Sequence, residues 1–558
     1  MALRFIDLIP DDDTESWRKE PSHDGTETIL KVETIAGARV LDSPFDPWGE
    51  SQTLLDPWQL PGKAVLSLGT GSGYLAELLI SHRVKEALLI SGSRTAALST
   101  TQRIEKKGLA SNSEFTIVAA RQFLPAWNQF VFEFLRKNPA SVILTHPREV
   151  AAFPSLHKRL LMKIQAWRNP FTFQPSAAPK KILLAVSSGL LETEIIHELQ
   201  RGDFKVTTIP ALAGKMLTPQ QAAELLAHYE PDLVLSVNNL ASDLHGLFPQ
   251  ACDDAGVPWA TWLLDDPRFI LSPYEIDGYP HQRFGFCWDV NGLDSWNRLI
   301  GRRAFPLPLA TDPGCFFPGE GDHSLKDRLV FVGSPRFASS IGYFAALDQD
   351  ENAHKIAERM EHSVRLSRKA PSTEDIISAL KELNLETPFS LEELRRLPAY
   401  IVQMANLKYR KEALIAVAHL HPIVYGEGWR GLLPPSIEVR DSVDYYRELP
   451  RIYRSDAVHL SLTNLQMRAY PNQRVFDIGA CSRVALGDKL EGFSELFDSS
   501  FDDLIFDSLR SLPAQAEWLM NNPSLRRQLG EKLRQVVLDK HTIAHRIDEL
   551  LKKIIMSE

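Results

Sequence analysis

Cysteine is scarce in this chain, with four residues in 558 (Cys252, Cys287, Cys315 and Cys481) and no CxxC spacing among them. Neither a disulfide framework nor a cysteine zinc site can be built from that pattern, which leaves reduced thiols in a cytosolic protein. No apolar run approaches the roughly 20 residues that a membrane span requires. Met1 to Asp13 carries acids where a secretory signal would carry a basic and then an apolar stretch. A cytoplasmic location is therefore expected, with any membrane contact peripheral. Positive charge is not in excess: 62 Lys and Arg face 71 Asp and Glu, for a net charge of -9. That balance excludes a general nucleic-acid-binding character but leaves room for a local basic pocket. His245, His281, His421 and His459 stand singly, with no HxxxH spacing, so no metal site is expected. Repeats of solenoid period and low-complexity tracts are also missing.

What the chain does contain is a threefold pattern. An apolar strand runs into a small-residue turn at Ala64–Leu68 with Gly69-Thr70-Gly71-Ser72-Gly73, at Lys181–Val186 with Ser187-Ser188-Gly189, and at Leu329–Val332 with Gly333-Ser334-Pro335. A continuous apolar run is the mark of a buried parallel strand, and a glycine or serine turn lets the chain enter a helix. The expected class is α/β, with three doubly wound Rossmann-like units. Proline-rich breaks at 170–180 and 306–322 divide the chain into residues 1–175, 180–312 and 323–558. A charged, helix-patterned stretch at 341–419 reads as an insertion into the third unit, restarting at the cap-like Ser372-Thr373-Glu374-Asp375. From His541 to Ile555 the pattern is amphipathic, with Ile543, Ile547, Leu550, Leu551 and Ile554 on one face.

Two tandem α/β units joined by a Pro/Gly hinge form a cleft between the carboxyl ends of their sheets, where open α/β folds bind ligands. The segment Asn472-Gln473-Arg474-Val475-Phe476-Asp477 follows an apolar strand ending at Leu462. A helix starting near Asn472 aims backbone N–H groups and a positive dipole end at an anion. Arg474 adds a permanent charge suited to phosphate. Asp477, a turn further on, can accept two hydroxyl hydrogen bonds, as a ribose diol requires. Taken alone, the segment also reads as an ordinary capped helix with an exposed arginine.

The segment and its surroundings resemble the CgeB-like glycosyltransferases, a branch of the GT-B superfamily that reads approximately N-x-R-x-F-E/D-x-x-A-C-G. Leu307-Pro308-Leu309-Ala310-Thr311-Asp312-Pro313, Val332-Gly333-Ser334, Tyr425-Gly426-Glu427-Gly428-Trp429 and Trp262-Leu263-Leu264-Asp265-Asp266-Pro267 match further family segments in the right order. The resemblance spans roughly residues 180 to 545. It implies that the last two units form a GT-B pair and carry out metal-independent transfer from a nucleotide-sugar, a nucleoside-diphosphate sugar or a CMP-sugar. The nucleotide would lie on the third unit and the acceptor mainly on the second. No other cofactor is implied. On this resemblance Asp477 contacts the ribose, Arg474 with Gly333 and Ser334 faces the diphosphate, and Gly426 to Trp429 lies near the base. Asn472 and Gln473 open the donor helix. Arg336 is a second candidate for leaving-group charge.

The sequence departs from retaining relatives at Met467-Arg468-Ala469-Tyr470, where an upstream glutamate is missing, so the anomeric outcome is not implied. An inverting reaction needs a general base near the acceptor hydroxyl. Asp265 and Asp266, at a strand end of the acceptor-side unit, are the candidates, although they also read as caps of the turn before Pro267. Glu192 and Glu194 are weaker ones.

The first unit resembles motif I of Rossmann methyltransferases at Leu66 to Tyr74. The following strand ends in Ser91-Gly92-Ser93-Arg94, without the acid that would hold a ribose. This unit is more similar to the degenerate domain beside flagellin-modifying glycosyltransferases and motility accessory factors, and the segment Val142 to Pro147 fits that pattern. The expected function is sugar transfer to a protein, such as flagellin, or to a surface glycan. The alternatives are a methyltransferase dependent on S-adenosylmethionine that carries a degenerate GT-B module, and a non-catalytic sugar-nucleotide-binding scaffold.

Overall fold

Apolar runs such as Leu233–Val237 and Trp259–Leu263 become strands in which every residue is buried, because helices cover both faces of a parallel sheet. The computed structural model describes residues 2–10, 16–23, 25, 27–34, 37–108, 113–187, 189–271, 283–300, 303–335, 343–385, 389 and 391–556. The first parallel sheet runs in the order Ala2–Asp7, Glu114–Ala119, Glu86–Ser91, Ala64–Leu68, Val142–Thr145. The second runs Lys205–Pro210, Lys181–Val186, Leu233–Val237, Trp259–Leu263, Arg283–Cys287, Arg303–Pro306. The third runs Glu438–Arg440, Ile423–Tyr425, Leu329–Val332, Val458–Ser461, Ala485–Asp488, Ile505–Phe506.

In each sheet the chain steps outward from its opening strand and then returns to the other side of it. That return makes a switch point, and a crevice forms beyond the strand ends there. The α/β class with three Rossmann-like units is what the strand-and-turn pattern anticipated, and the arrangement of the last two is consistent with the GT-B pair that the family resemblance implied.

A small antiparallel sheet, Trp17–Pro21, Thr28–Thr34 and Gly37–Val40, was not anticipated. Its outer strand is almost wholly exposed, so it carries no apolar run to be seen. Helices occupy Ala345–Asp348, Glu351–Ser367, Thr373–Glu382 and Leu391–Ala416 between the first two strands of the third unit. The restart is a capping box in which the Ser372 hydroxyl accepts from Asp375 N and the Asp375 carboxylate accepts from Ser372 N.

The second and third units share one apolar core, which continues into the last helix, Ile543–Ile555. That helix buries the five apolar residues of its expected face and packs back on Glu192–Arg201 of the second unit. Its Arg546 donates to the carbonyls of Pro308 (2.6 Å) and Leu309 (3.1 Å) in the connecting segment. The first unit docks on the second through Pro154–Arg168 against Leu247–Asp254, with Lys163 paired to Asp254.

Candidate functional site

The switch point of the third unit lies between the ends of Leu329–Val332 and Val458–Ser461. Gly333 turns the chain there with φ +152°, open to glycine and strained for other residues. A Cβ on Gly333 would lie 2.7 Å from Arg474 Nη2, and one on Gly426 would lie 2.6 Å from the Gly333 carbonyl oxygen. The two glycines therefore let two backbone turns and one guanidinium meet without side chains between them. Trp429 is wholly buried, lies edge-on to Phe331 and donates its Nε1–H to the Gly333 carbonyl at 2.7 Å. The indole thus braces the turn and presents no free face to a base.

The helix Gln473–Ala480 begins at this turn. Asn472 caps it by accepting from Arg474 N at 3.1 Å, and is itself held by the Ser461 hydroxyl. Gln473 reaches the Ala310 carbonyl in the connecting segment. Arg410, from the long helix Leu391–Ala416, donates to the Ser334 carbonyl at 2.8 Å. It is 4% exposed, and burial followed by the charge of Arg474 lowers its pKa to about 9. Two cations thus converge on one turn at a helix start, and among the described residues neither has a carboxylate partner. Sequence reading missed Arg410, since nothing near it in the chain marks it. Arg336 falls outside the described residues.

Asp477 sits one turn deeper and is 1% exposed. It accepts from the hydroxyls of Thr311 (2.7 Å) and Tyr445 (2.8 Å) and from Gln473 Nε2 (3.1 Å). A ribose diol at this carboxyl would have to displace one of these partners. Burial pushes its pKa up to about 7, against the lowering effect of those donors. The raised value means the fold holds a proton that the unfolded chain releases from about pH 4, so the native state loses ground as pH rises toward 7. Asp477→Asn is expected to remove that decline, its Tm relative to wild type rising between about pH 4 and pH 7 in thermal melts.

Across the cleft, Asp265 and Asp266 follow the strand Trp259–Leu263 and differ in surroundings. Asp266 is buried and held by the Arg268 guanidinium, with Nε 3.0 Å from Oδ1, and accepts from Arg268 N at 2.9 Å. Asp265 has no cationic partner among the described residues. Its Oδ1 accepts from Gln466 Nε2 of the third unit at 2.6 Å and its Oδ2 from Asn238 Nδ2 at 3.0 Å. Burial raises its pKa, opposed by those two bonds, and the neighbouring Asp266 raises it further. Glu192 caps Ser187 N at 2.9 Å. Glu194 accepts from the Tyr446 hydroxyl at 2.9 Å and borders a 420 Å³ cavity shared with Asp312, Arg447, Arg451 and Arg454.

The segment that lacks the upstream glutamate is clasped by the facing unit. Asp289 Oδ2 accepts from three successive N–H groups, Arg468 (3.0 Å), Ala469 (2.7 Å) and Tyr470 (3.2 Å), and Trp288 Nε1 donates to the Pro471 carbonyl at 3.1 Å. A carboxylate bound by consecutive N–H groups is an anion nest filled from within the protein.

The first unit's switch point is also filled from within. Glu149 Oε2 accepts from Thr70 N (2.5 Å) and Gly71 N (2.8 Å), while its Oε1 accepts from the Ser91 hydroxyl (2.6 Å) and Gly92 N (2.9 Å). Those donors line the crevice where a Rossmann cofactor would lie. Burial alone would push the Glu149 pKa up, but His157 and then the Ser91 hydroxyl hold it at about 2.

Residues 410–552 match the model of a family described as glycosyl transferase-like. The match begins at Arg410 and takes in Arg474 and Asp477, and it supports sugar transfer as the general activity of this region. No curated protein matches the chain. Among the described residues no helix is long and apolar enough to cross a membrane.

Proposed function

We propose that the second and third units form a GT-B-type, CgeB-like glycosyltransferase that moves a sugar from a nucleotide-sugar to a hydroxyl of a protein or surface-glycan acceptor. The observation that carries this reading is the pair Arg410 and Arg474 at the Gly333-Ser334 turn, two partially desolvated cations held together without an acid. Like charges brought this close lower stability unless an anion joins them. A diphosphate leaving group is such an anion, and the start of the helix at Asn472 adds its dipole.

Asp265 is then the base. As the acceptor oxygen bonds to the anomeric carbon, its proton passes to the Asp265 carboxylate. The bond from that carbon to the diphosphate oxygen breaks, and its electron pair leaves on the diphosphate, beside Arg410 and Arg474. This displacement inverts the anomeric centre. A flagellin acceptor rests on the resemblance of the first unit to domains found beside flagellin-modifying enzymes. A methyltransferase reading is disfavoured by Glu149, whose carboxylate engages the N–H groups that S-adenosylmethionine would need.

The test is donor binding. Each of the two single variants Arg410→Met and Arg474→Ala is expected to weaken nucleotide-sugar binding by roughly 1.5–3 kcal/mol, about 10- to 150-fold in Kd by calorimetry. Arg410→Met should at the same time leave the Tm of the free protein unchanged or raised, because it relieves repulsion. Unaltered affinity for every diphosphate-linked and CMP-linked sugar that binds wild type would remove the arginine pair from the donor site.

A further inference from the structure

The glycine loop of the first unit is closed to a cofactor, yet two buried polar groups beside it have atoms that lack hydrogen-bond partners among the described residues. Asp42 and His146 are both 0% exposed, and His146 Nε2 lies 3.5 Å from Asp42 Oδ1. Neither of those atoms, nor His146 Nδ1, has a hydrogen-bond partner among the described residues. A hydrogen bond between them would draw the pair to about 2.7–3.2 Å. By contrast, two ligand atoms on one ion with bonds of about 2.0–2.2 Å stand about 3.3–3.6 Å apart in a tetrahedron.

Gly71 packs directly against the pair: a Cβ on it would lie 2.3 Å from Asp42 Oδ1 and 2.8 Å from His146 Nε2, so no side chain fits at this position. Gly71 has φ +56°, which also favours glycine there. A carboxylate oxygen of Glu50 completes the group, the three ligand atoms lying within 4.8 Å of one another.

Charge favours a cation as well. Three carboxylates, Asp42, Glu50 and Glu149, crowd this end of the sheet. Among the described residues the only permanent cation in contact with any of them is Arg148, 2.8 Å from Glu50. The remaining hydrogen bonds leave Asp42 Oδ1 and the His146 ring nitrogens open, while both Glu50 oxygens also accept from Arg148 and Ser43. Asp42 uses its other oxygen to accept from Ser72 N (2.7 Å) and the Ser72 hydroxyl, and Glu50 accepts from Ser43 N at 2.6 Å.

We propose that Asp42, Glu50 and His146 hold one divalent transition-metal cation, of the Zn²⁺ or Mn²⁺ class, against Gly71. One imidazole and two carboxylates suit such ions better than a purely oxygen-seeking one. The ion ties three pieces together: the loop after the antiparallel sheet (Asp42), the helix Pro47–Leu55 (Glu50) and the end of Val142–Thr145 (His146). Its role is structural, and it does not depend on the sugar-transfer reading.

The experiment is metal titration of the full chain after chelation and dialysis, using Zn²⁺ and Mn²⁺ alone. Calorimetry and elemental mass spectrometry are expected to find about one equivalent bound and a raised Tm. Glu50→Gln removes the less buried ligand, whose side chain is 17% exposed, and His146→Gln removes the fully buried one. Loss of an outer-shell partner costs about 10–100-fold in metal affinity, and each of these ligand losses should cost at least that. Substituted Co²⁺ should give a visible d–d absorption that Glu50→Gln alters. If neither ion binds the wild-type chain stoichiometrically, or if binding survives both substitutions, the site is an ordinary histidine–carboxylate pair and the proposal fails.

Discussion

Replacing Asp265 by asparagine is expected to lower kcat by about 10²–10⁴, the usual worth of a positioned general base, while donor Kd stays close to wild type. The separation follows from place. Asp265 lies at the strand end of the second unit, whereas the arginine pair lies on the third. Asparagine keeps the shape and can still accept from Gln466 or Asn238 through its oxygen, but it cannot take a proton. The raised pKa of Asp265 adds a pH signature. In wild type the acidic limb of kcat/KM should sit above the ordinary carboxylate range, and Asp265→Asn should flatten it. The matching substitution Asp266→Asn should act differently, because its carboxylate is committed to Arg268. Its main expected result is lower stability, with residual turnover well above that of Asp265→Asn. Steady-state kinetics with a competent donor and acceptor read both, and wild-type turnover in Asp265→Asn would eliminate it as the base.

Glu149→Gln carries the second large effect, on stability. The Glu149 carboxylate accepts five hydrogen bonds, two from Thr70 and one each from Gly71, Ser91 and Gly92, and lies 3.7 Å from His157. An amide can offer only one oxygen to these donors, so its NH₂ must face N–H groups that remain buried. Removing one partner from a buried charged arrangement costs about 3–5 kcal/mol. The loss should appear as an early unfolding step of the first unit in denaturant melts followed by limited proteolysis. It should not open the crevice to S-adenosylmethionine, and calorimetry with that compound is expected to be silent in both proteins. Measurable binding in wild type would revive the methyltransferase reading.

Much of the site was legible because its parts are local. The turn at Gly333-Ser334, the cap at Asn472 and the placement of Arg474 in the first turn of its helix all follow from neighbouring residues. The amphipathic face of Ile543–Ile555 was legible for the same reason. Asp477 was legible as a residue on the right helix, but its partners were not. Thr311 and Tyr445 stand 166 and 32 residues away, and together they bury the carboxyl that a ribose was expected to meet. Trp429 was legible as part of a glycine-rich turn, while its burial beneath Gly333 depends on Phe331 and on the packing of two sheet ends. Arg410 could not be found at all from its neighbours, since it reaches Ser334, 76 positions earlier in the chain.

The segment Met467 to Tyr470 shows the limit from the other side. A missing glutamate could be read there, yet the acid that serves this backbone, Asp289, comes from the facing sheet about 180 residues earlier. The sequence by itself determined the α/β class, the three strand-and-turn openings, the helix starts and the donor-side candidates, because period, turn chemistry and capping are properties of adjacent residues. Only the tertiary structure decided which acids are free and which are neutralised, that two arginines share one turn, and that Glu149 closes the first crevice while leaving Asp42 Oδ1 and His146 beside it without hydrogen-bond partners among the described residues. Those outcomes depend on distances between strand ends far apart in the chain, and hydrogen bonds and charges act only over the few ångströms that packing sets.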